Sequence, residues 1–489
     1  MRHRYERHLA AVAPPETPTP EGVRAERSRR APALPPRPAE MSWRDYLIYL
    51  LHIAAEIEHA LMVQYLYAAY SLGGPQVPSE ERSKVAGWRT SLLTIAREEM
   101  GHLLSVQNLL CLIGGPITFQ REDYPWDTPY FPFPFRLEPL TRTSLACYVY
   151  AEMPMEITAP PGRRLTKRYR EFEQKDKARI VKAVTKLAAG HPHQVASIYD
   201  AVIQLLGDTK TIPDSCFDAT TLGRQASFDD WGRNYRPGPR YLDPEGSLIK
   251  EANARVPRVI VAPMVTRTQA IAALQDIAGQ GEAPELGLPN KEPSHFDRFL
   301  EIYDEFEAVD GWSPTREIPV NPHTGYGSSR ERAAIENPES RLWANLFNVR
   351  YRMLLTYLTH TYRLAPDSPR PQQPDVRGTV IHRAFGEMYN LKAIAERLVE
   401  LPLGSARSDK RAGPPFEMPY TLAMPVEDIN CWRLHRENLI ASQALCADLA
   451  PMASGDAARY LAGLGELDRQ ALEWVNAIIS GFAGRRHSA

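Results

Sequence analysis

The stretch IAREEMGHLLSV, residues 95–106, places two glutamates and a histidine inside an otherwise apolar helical pattern. The apolar residues around it recur at the spacing of one helix face: Trp88, Leu92, Ile95, Val106 and Leu109. Glu99 and His102 occupy the two positions that this stripe lacks. Because one helical residue turns the direction by about 100°, we expect Glu98 to leave the stripe and Glu99 to point into the core.

Three other predicted helices carry an ionisable residue on an apolar face in the same way. Glu58 fills the one gap in the apolar stripe of residues 43–71. Glu282 extends the apolar face of residues 266–282 by one turn, and His295 lies on the apolar face of the helix that follows. Four helices should therefore each bring one or two ionisable groups to a buried face.

Carboxylates on buried faces need a cation nearby, because an uncompensated carboxylate in an apolar interior is strongly unfavourable. A divalent metal ion compensates several acids at once, and oxygen and imidazole ligands suit iron, manganese or zinc. Side chains three residues apart meet on one helix face, so Glu99 and His102 can hold one metal ion or span a pair. Glu58, Glu282 and His295 would complete a centre like that of the carboxylate-bridged di-iron helix bundles.

Glu292 is a further candidate ligand, because it precedes His295 by three residues. Pro293 stands between them and favours the first turn of a helix, which would leave Glu292 at the helix entry. With Glu292, the predicted site has four glutamates and two histidines. Without it, the remaining glutamates and histidines suit a single metal ion or an open, asymmetric pair.

Two further residues are candidates for acid–base catalysis beside this centre. Tyr65 follows Glu58 by two helical turns on the same face; the alternative is core packing with a hydrogen-bonded hydroxyl. Glu152 belongs to the stretch YAEMPME, residues 150–156. The alternative for Glu152 is an acid of a crossover helix that faces solvent.

The composition of the whole chain excludes several classes of function. The net charge of the 489 residues is −1, so no basic field favours nucleic acid or an anionic membrane. The five cysteines have no zinc-ligand spacing and are typical of free thiols in a reducing cytoplasm. The most apolar run, residues 47–70, contains glutamates and histidines and is predicted not to span a membrane, and the N-terminus lacks a hydrophobic signal core. We therefore expect a cytoplasmic protein that acts on a small molecule and binds neither nucleic acid nor membrane.

The pattern along the chain predicts a mostly α protein. Residues 1–40 are rich in Pro and Arg and are predicted to form a disordered tail. Residues 41–310 should form a metal-binding four-helix bundle with a long irregular crossover insertion at 208–262, and residues 311–489 a C-terminal helical domain. Helices are predicted near 43–71, 80–113, 141–157, 172–207, 266–282, 294–306, 339–364, 377–401, 425–449 and 456–481.

Several stretches together resemble a known family: EIEHALMVQYLYAAYS (56–71), IAREEMGHLLSVQNLLCLIGG (95–115), YAEMPME (150–156), ASIYDAVI (196–203), AIAALQDIAGQGE (270–282) and SHFDRFLEIY (294–303). The chain resembles the ferritin-like family that includes the iminophenylpyruvate dimer synthase of violacein biosynthesis and the chromopyrrolate synthases of indolocarbazole pathways. Two positions depart from the family's usual pattern. Ala283 follows Glu282 where a glycine is usual, and Ser197 stands where many members carry a glutamate.

The resemblance implies a ferritin-like fold, iron as the metal in one or two ions, and oxidative chemistry on amino-acid-derived imines. An example is the coupling of two enamine or imine units made by a partner amino-acid oxidase. Haem is associated with some relatives, so a haem-dependent coupling enzyme, with an axial histidine outside the proposed iron ligands, is a competing hypothesis. Two different functions also fit the buried acids: iron storage or metal binding without turnover, and a structural helical protein with salt-bridged acids. An oligomer is compatible with each of these functions.

Overall fold

A computed structural model of the protein describes residues 37–126, 133–154, 167–187, 195–227, 241–242, 248–249, 259–282, 293–306, 309–364, 376–404 and 409–486. Within these residues the protein is mostly α-helical, which confirms the predicted fold class. The strands described are two short pairs: antiparallel β1 (Tyr241–Leu242) and β2 (Leu248–Ile249), and parallel β3 (Pro322–His323) and β4 (Ala333–Ala334). The predicted tail, residues 1–40, lies almost wholly outside the described residues.

The helices described in the first half of the chain form a bundle around one apolar core. They are α1 (Trp43–Ser71), α2 (Arg82–Leu112), α3 (Arg142–Ala151), α4 (Lys167–Glu171), α5 (Lys177–Leu187), α6 (Ala196–Gly207), α7 (Arg267–Glu282) and α8 (His295–Phe306). The long helices α1 and α2 pack along each other, α3 packs against α8, and α6 packs against α7. These pairs bring together the helices whose apolar faces carry ionisable residues.

Helix α1 has the bounds that its sequence predicts. Its N-terminus is capped by Ser42, whose hydroxyl accepts the backbone N–H of Asp45 at 3.0 Å. It ends before Gly73 and Gly74, whose φ angles of 91° and 115° favour glycine. Among the described helices, α1 alone is long and apolar enough to cross a membrane, but 78% of its most apolar stretch is buried inside the fold.

In the first half of the chain, two of the helix predictions were wrong in their bounds. Helix α3 ends at Ala151 instead of near residue 157, because a proline at position 154 disfavours the helical conformation of the residue before it. The helix predicted over 172–207 begins earlier, at Lys167, and passes through a π turn (Phe172–Asp176) into α5. Residues 188–194, between α5 and α6, lie outside the described part. The early end of α3 leaves Glu152 at the C-terminus of that helix.

Gly101, which lies between Glu99 and His102 in α2, permits the close approach of another segment. A Cβ atom at this position would lie 2.5 Å from the carbonyl oxygen of Ile260. One turn further along, the hydroxyl of Ser105 donates to the same carbonyl at 3.2 Å. The end of the long insertion therefore covers α2 directly beside the polar residues of its stripe.

The second half of the chain contains the four helices predicted there: α9 (Pro338–Thr361), α10 (Val376–Leu398), α11 (Asp428–Leu449) and α12 (Gly455–Arg486). Helix α9 packs against α10 and α11, and α11 packs against α12. Buried polar contacts join the halves. The Tyr362 hydroxyl donates to the carbonyl oxygen of Leu104 at 3.1 Å, and Arg121 donates to that of Phe416 at 2.5 Å. The division into domains at residue 310 stays a prediction.

Two buried histidines, His360 on α9 and His435 on α11, share a hydrogen bond of 2.9 Å between Nδ1 and Nε2. Burial lowers the pKa of His360 to about 4; Arg363 adds to this effect and Asp428 opposes it. Burial also lowers the pKa of His435 well below its usual range, together with the charges of His360 and Arg383. Unfolded histidine binds a proton below pH about 6.5, whereas both folded side chains bind one only at lower pH.

We therefore expect the folded state to lose stability as the pH falls from about 6.5 towards 4 and to keep this stability at higher pH, because the unfolded chain takes up more protons in that window. The midpoint of urea unfolding should fall across the window in the wild-type protein. In a His435→Gln variant it should fall less steeply, since one of the two groups no longer titrates. Equal slopes for the two proteins would contradict this prediction.

Candidate metal centre

Glu99 lies between two imidazoles at the centre of the bundle. Its Oε2 atom is 2.8 Å from Nδ1 of His102, one turn along α2. Its Oε1 atom is 2.9 Å from Nδ1 of His295, the first residue of α8. All three side chains are buried, and the two imidazole rings stack with their centroids 5.5 Å apart. One carboxylate thus faces a different imidazole with each of its oxygens, and Glu99 points inward as the sequence predicts.

Two further carboxylates flank this arrangement, one on each side. Glu58 on α1 brings Oε2 to 3.5 Å from Nδ1 of His102. Glu152, at the C-terminus of α3, brings Oε2 to 3.7 Å from Nδ1 of His295. The result is two groups that share Glu99: Glu58, Glu99 and His102, and Glu99, Glu152 and His295. In each group the potential ligand atoms lie within 4.8 Å of one another.

The electrostatics of the centre depend on its two histidines. Burial opposes charge on His102, but Glu99 and Glu58 outweigh it and raise the pKa of His102 to about 10. Burial likewise opposes charge on His295, and Glu99, Glu152 and Glu98 raise its pKa well above the usual range. Burial raises the pKa of Glu58 to about 7, and the charge of Glu99 adds to this effect. The buried carboxylates therefore favour positive charge on both imidazoles.

The outer nitrogen of each imidazole contacts a different kind of group. Nε2 of His102 lies 2.8 Å from Oε1 of Gln280 on α7, and Nε2 of His295 lies 3.0 Å from Oε2 of Glu98. Arg298, one turn into α8, donates to both oxygens of Glu98, at 2.6 and 3.3 Å. Glu98 does leave the face of Glu99, as predicted, but it is fully buried and belongs to the surroundings of the centre.

Two tyrosines hold the flanking carboxylates. The hydroxyl of Tyr65 donates to Oε1 of Glu152 at 2.6 Å, and that of Tyr199 donates to Oε1 of Glu58. Burial raises the pKa of both phenols well above the usual range, together with the charges of these carboxylates. Each tyrosine is therefore a fixed hydrogen-bond donor. Tyr65 lies beside the centre, as its spacing from Glu58 suggests.

The remaining predicted ligands are described only in part or not at all. Glu282 is the last residue of α7, and its side chain lies outside the described atoms. Glu292 lies outside the described residues. The end of α7 does reach the centre, because a Cβ atom on Gly281 would lie 3.1 Å from Oε2 of Glu152. Ligation by Glu282 and Glu292 stays a prediction.

Sequence reasoning missed several residues that surround the centre: Glu98, Tyr199, Gln280 and Arg298. All four stand inside stretches that resemble the ferritin-like family, which was the one available signal for them. Glu152 was proposed as an acid–base group, and its position beside His295 makes it a candidate ligand.

A divalent cation fits the donor atoms of this centre. Nδ1 of His295 is buried and, among the described residues, has no partner in hydrogen-bond geometry, although Glu99 Oε1 is only 2.9 Å away. The nitrogen and the oxygen thus converge without bonding to each other, as ligands of a common ion do. Carboxylate oxygens and imidazole nitrogens together suit iron, manganese or zinc.

The chain resembles known proteins over much of its length. A family model described as ferritin-like matches residues 51–304, more than half of the chain. The chain is 26% identical to dichlorochromopyrrolate synthase of Lentzea aerocolonigenes over an aligned length of 410, which covers 77% of this chain and 36% of that protein. It is also 26% identical to 2-imino-3-(indol-3-yl)propanoate dimerase of Chromobacterium violaceum over an aligned length of 425, which covers 81% of this chain and 36% of that protein. The chain thus matches little more than a third of the length of these curated relatives. No solved structure matches the chain.

Proposed function

The chain belongs to the ferritin-like family, as its sequence stretches predict, and from this premise we propose that it is a non-haem iron oxidoreductase of secondary metabolism. The observation that carries the proposal is the position of Glu99, whose oxygens face His102 and His295 at 2.8 and 2.9 Å. A carboxylate in this position can bridge two cations. Glu58 and His102 would hold one iron ion, and Glu152 and His295 the other.

The substrate class that we propose is an amino-acid-derived imine or enamine. One relative is named as a dimerase of such an imine, and another as a synthase of dichlorochromopyrrolate. Joining two enamine carbons forms one C–C bond and breaks two C–H bonds, which releases two protons and two electrons. Dioxygen accepts the two protons and the two electrons and leaves as hydrogen peroxide. Iron, when bound, supplies the electron transfer between substrate and dioxygen that side chains alone cannot perform.

The residues of the chain prepare the site for this chemistry. Tyr65 and Tyr199 fix the flanking carboxylates by donating hydrogen bonds to them. Glu58, Glu99, His102, Glu152 and His295, which would hold the metal, are all buried, and this burial excludes bulk water. Exclusion of water matters because imines hydrolyse readily. For the same reason we propose that a partner amino-acid oxidase delivers the imine directly, in the cytoplasm. Tyr65, whose hydroxyl donates a hydrogen bond to Glu152, is the candidate for proton transfer at the edge of the centre.

A direct test combines metal analysis with an in-situ imine assay. The protein is loaded anaerobically with Fe(II), desalted and exposed to air with an L-amino-acid oxidase and L-tryptophan. We expect about two iron ions per chain and a product with the mass of two imine units less two hydrogens. Protein loaded with Zn(II) is the matched control, since zinc occupies similar sites without redox change.

Three results would contradict the proposal. The first is less than about 0.1 iron per chain after loading. The second is equal product from the iron and zinc proteins. The third is a Soret band in the purified protein, which would assign haem as the redox group instead.

A further inference from the structure

The two halves of the centre match in most of their contacts. Each has one imidazole that faces Glu99 through Nδ1, at 2.8 and 2.9 Å. Each has one flanking carboxylate, Glu58 or Glu152, that accepts a hydrogen bond from a buried tyrosine. Among the side chains that the structure describes, the halves therefore offer a cation nearly the same set of direct ligands.

The halves differ at the outer nitrogens of the imidazoles. Nε2 of His295 meets the carboxylate of Glu98 at 3.0 Å, and Arg298 donates two hydrogen bonds to that carboxylate. Nε2 of His102 meets the neutral amide oxygen of Gln280 at 2.8 Å. A carboxylate that accepts the outer N–H of a metal-binding imidazole makes that imidazole a stronger ligand than a neutral acceptor does.

From this difference, which rests on the proposed metal centre, we infer that the two metal positions are unequal: the position at His295 binds a divalent cation more tightly than the position at His102. Glu98 and Gln280 act as positioning residues, because each reaches the cation only through an imidazole. Hydrogen-bond partners of metal-binding imidazoles typically change metal affinity by about 10- to 100-fold. The centre would therefore fill in a fixed order, with the His295 position first.

The negative charge at Glu98 is also locally balanced, which makes this arrangement stable in the core. Glu98 is fully buried on α2 and Arg298 is mostly buried on α8. The pair ties the helix that carries Glu99 to the helix that carries His295. The same contact therefore orients His295 and increases its strength as a ligand, whereas Gln280 can only orient His102.

The test measures each position separately, because two ions that share Glu99 would influence each other's affinity. Glu58→Ala keeps the ligands of the His295 position, and Glu152→Ala keeps those of the His102 position. Each full-length variant is titrated with Co(II) alone by calorimetry and by its visible absorption bands, without substrate. We expect one ion per chain in both, bound about 10- to 100-fold more tightly in Glu58→Ala.

Second substitutions then assign the cause. Glu98→Gln, added to Glu58→Ala, should weaken Co(II) binding by about 10- to 100-fold, and the same change added to Glu152→Ala should leave binding nearly unchanged. Gln280→Glu, added to Glu152→Ala, should tighten binding. The Gln280→Glu variant keeps the inference testable if Glu98→Gln prevents folding.

Equal affinities in Glu58→Ala and Glu152→Ala would overturn the inference, and so would an equal loss on adding Glu98→Gln to both. Either result leaves the proposed iron-dependent coupling standing, since both positions would still bind metal. Absence of Co(II) binding to the wild-type protein and to both variants would overturn the proposed function as well.

Discussion

Replacing Glu99 by alanine is expected to abolish metal binding at both positions. Glu99 is the one carboxylate that belongs to both groups of potential ligands, and its two oxygens face separate imidazoles. Its loss leaves each position with one carboxylate and one imidazole among the described residues, too few to hold an ion firmly. We expect the iron content after anaerobic loading to fall from about two ions per chain to less than about 0.1, measured by elemental analysis.

The controls for this prediction come from the same bundle. Glu301→Ala makes the same change on α8, at a side chain exposed to solvent, and should leave the iron content unchanged. Glu58→Ala removes a carboxylate from one group only and should leave about one ion. Circular dichroism would establish that the Glu99→Ala protein is folded. Folded Glu99→Ala protein with the wild-type iron content would refute the assignment of Glu99.

The inward direction of Glu99 could be predicted because a helix turns by a constant angle per residue. The stripe of α2 has two gaps, at Glu99 and His102, and both side chains meet at the centre of the bundle. The same rule did not predict that Glu98, which leaves the face of Glu99, is also buried. A stripe argument assumes a helix with one buried face, whereas α2 is covered on other sides by α8 and by the segment that contacts Gly101.

The partners of these ligands could not be predicted, because they depend on how separate helices pack. Gln280 and Glu98 lie near their imidazoles through the placement of α7 and α8, which no local pattern specifies. The role of Glu152 depends on where α3 ends, and that end was predicted about six residues too late. Local patterns predicted most helices and the inward direction of Glu58, Glu99, His102 and His295, and tertiary packing determined the surroundings of these side chains.

Replacing Arg350 by methionine is expected to cause the largest loss of stability in the second half of the chain. Arg350 on α9 is buried and donates to Glu387 on α10 at 3.0 Å and to Asp468 on α12 at 2.5 Å. Methionine fills much of the same space without a charge, so two buried carboxylates would be left without their cation. Breaking a buried ion pair in this way costs about 3–5 kcal/mol, and we expect a clear fall in the midpoint of urea unfolding.

Arg469→Met is the matched control, because Arg469 pairs with Glu466 and Glu473 on the exposed surface of α12. Exposed ion pairs contribute little, since water screens the charges, so the unfolding midpoint should hardly move. Adding Glu387→Leu and Asp468→Leu to Arg350→Met should recover much of the lost stability, because apolar replacement of a whole buried ion cluster is often neutral. Equal shifts for Arg350→Met and Arg469→Met would refute the prediction. They would mean that the cationic charge of Arg350 is not what joins α9, α10 and α12.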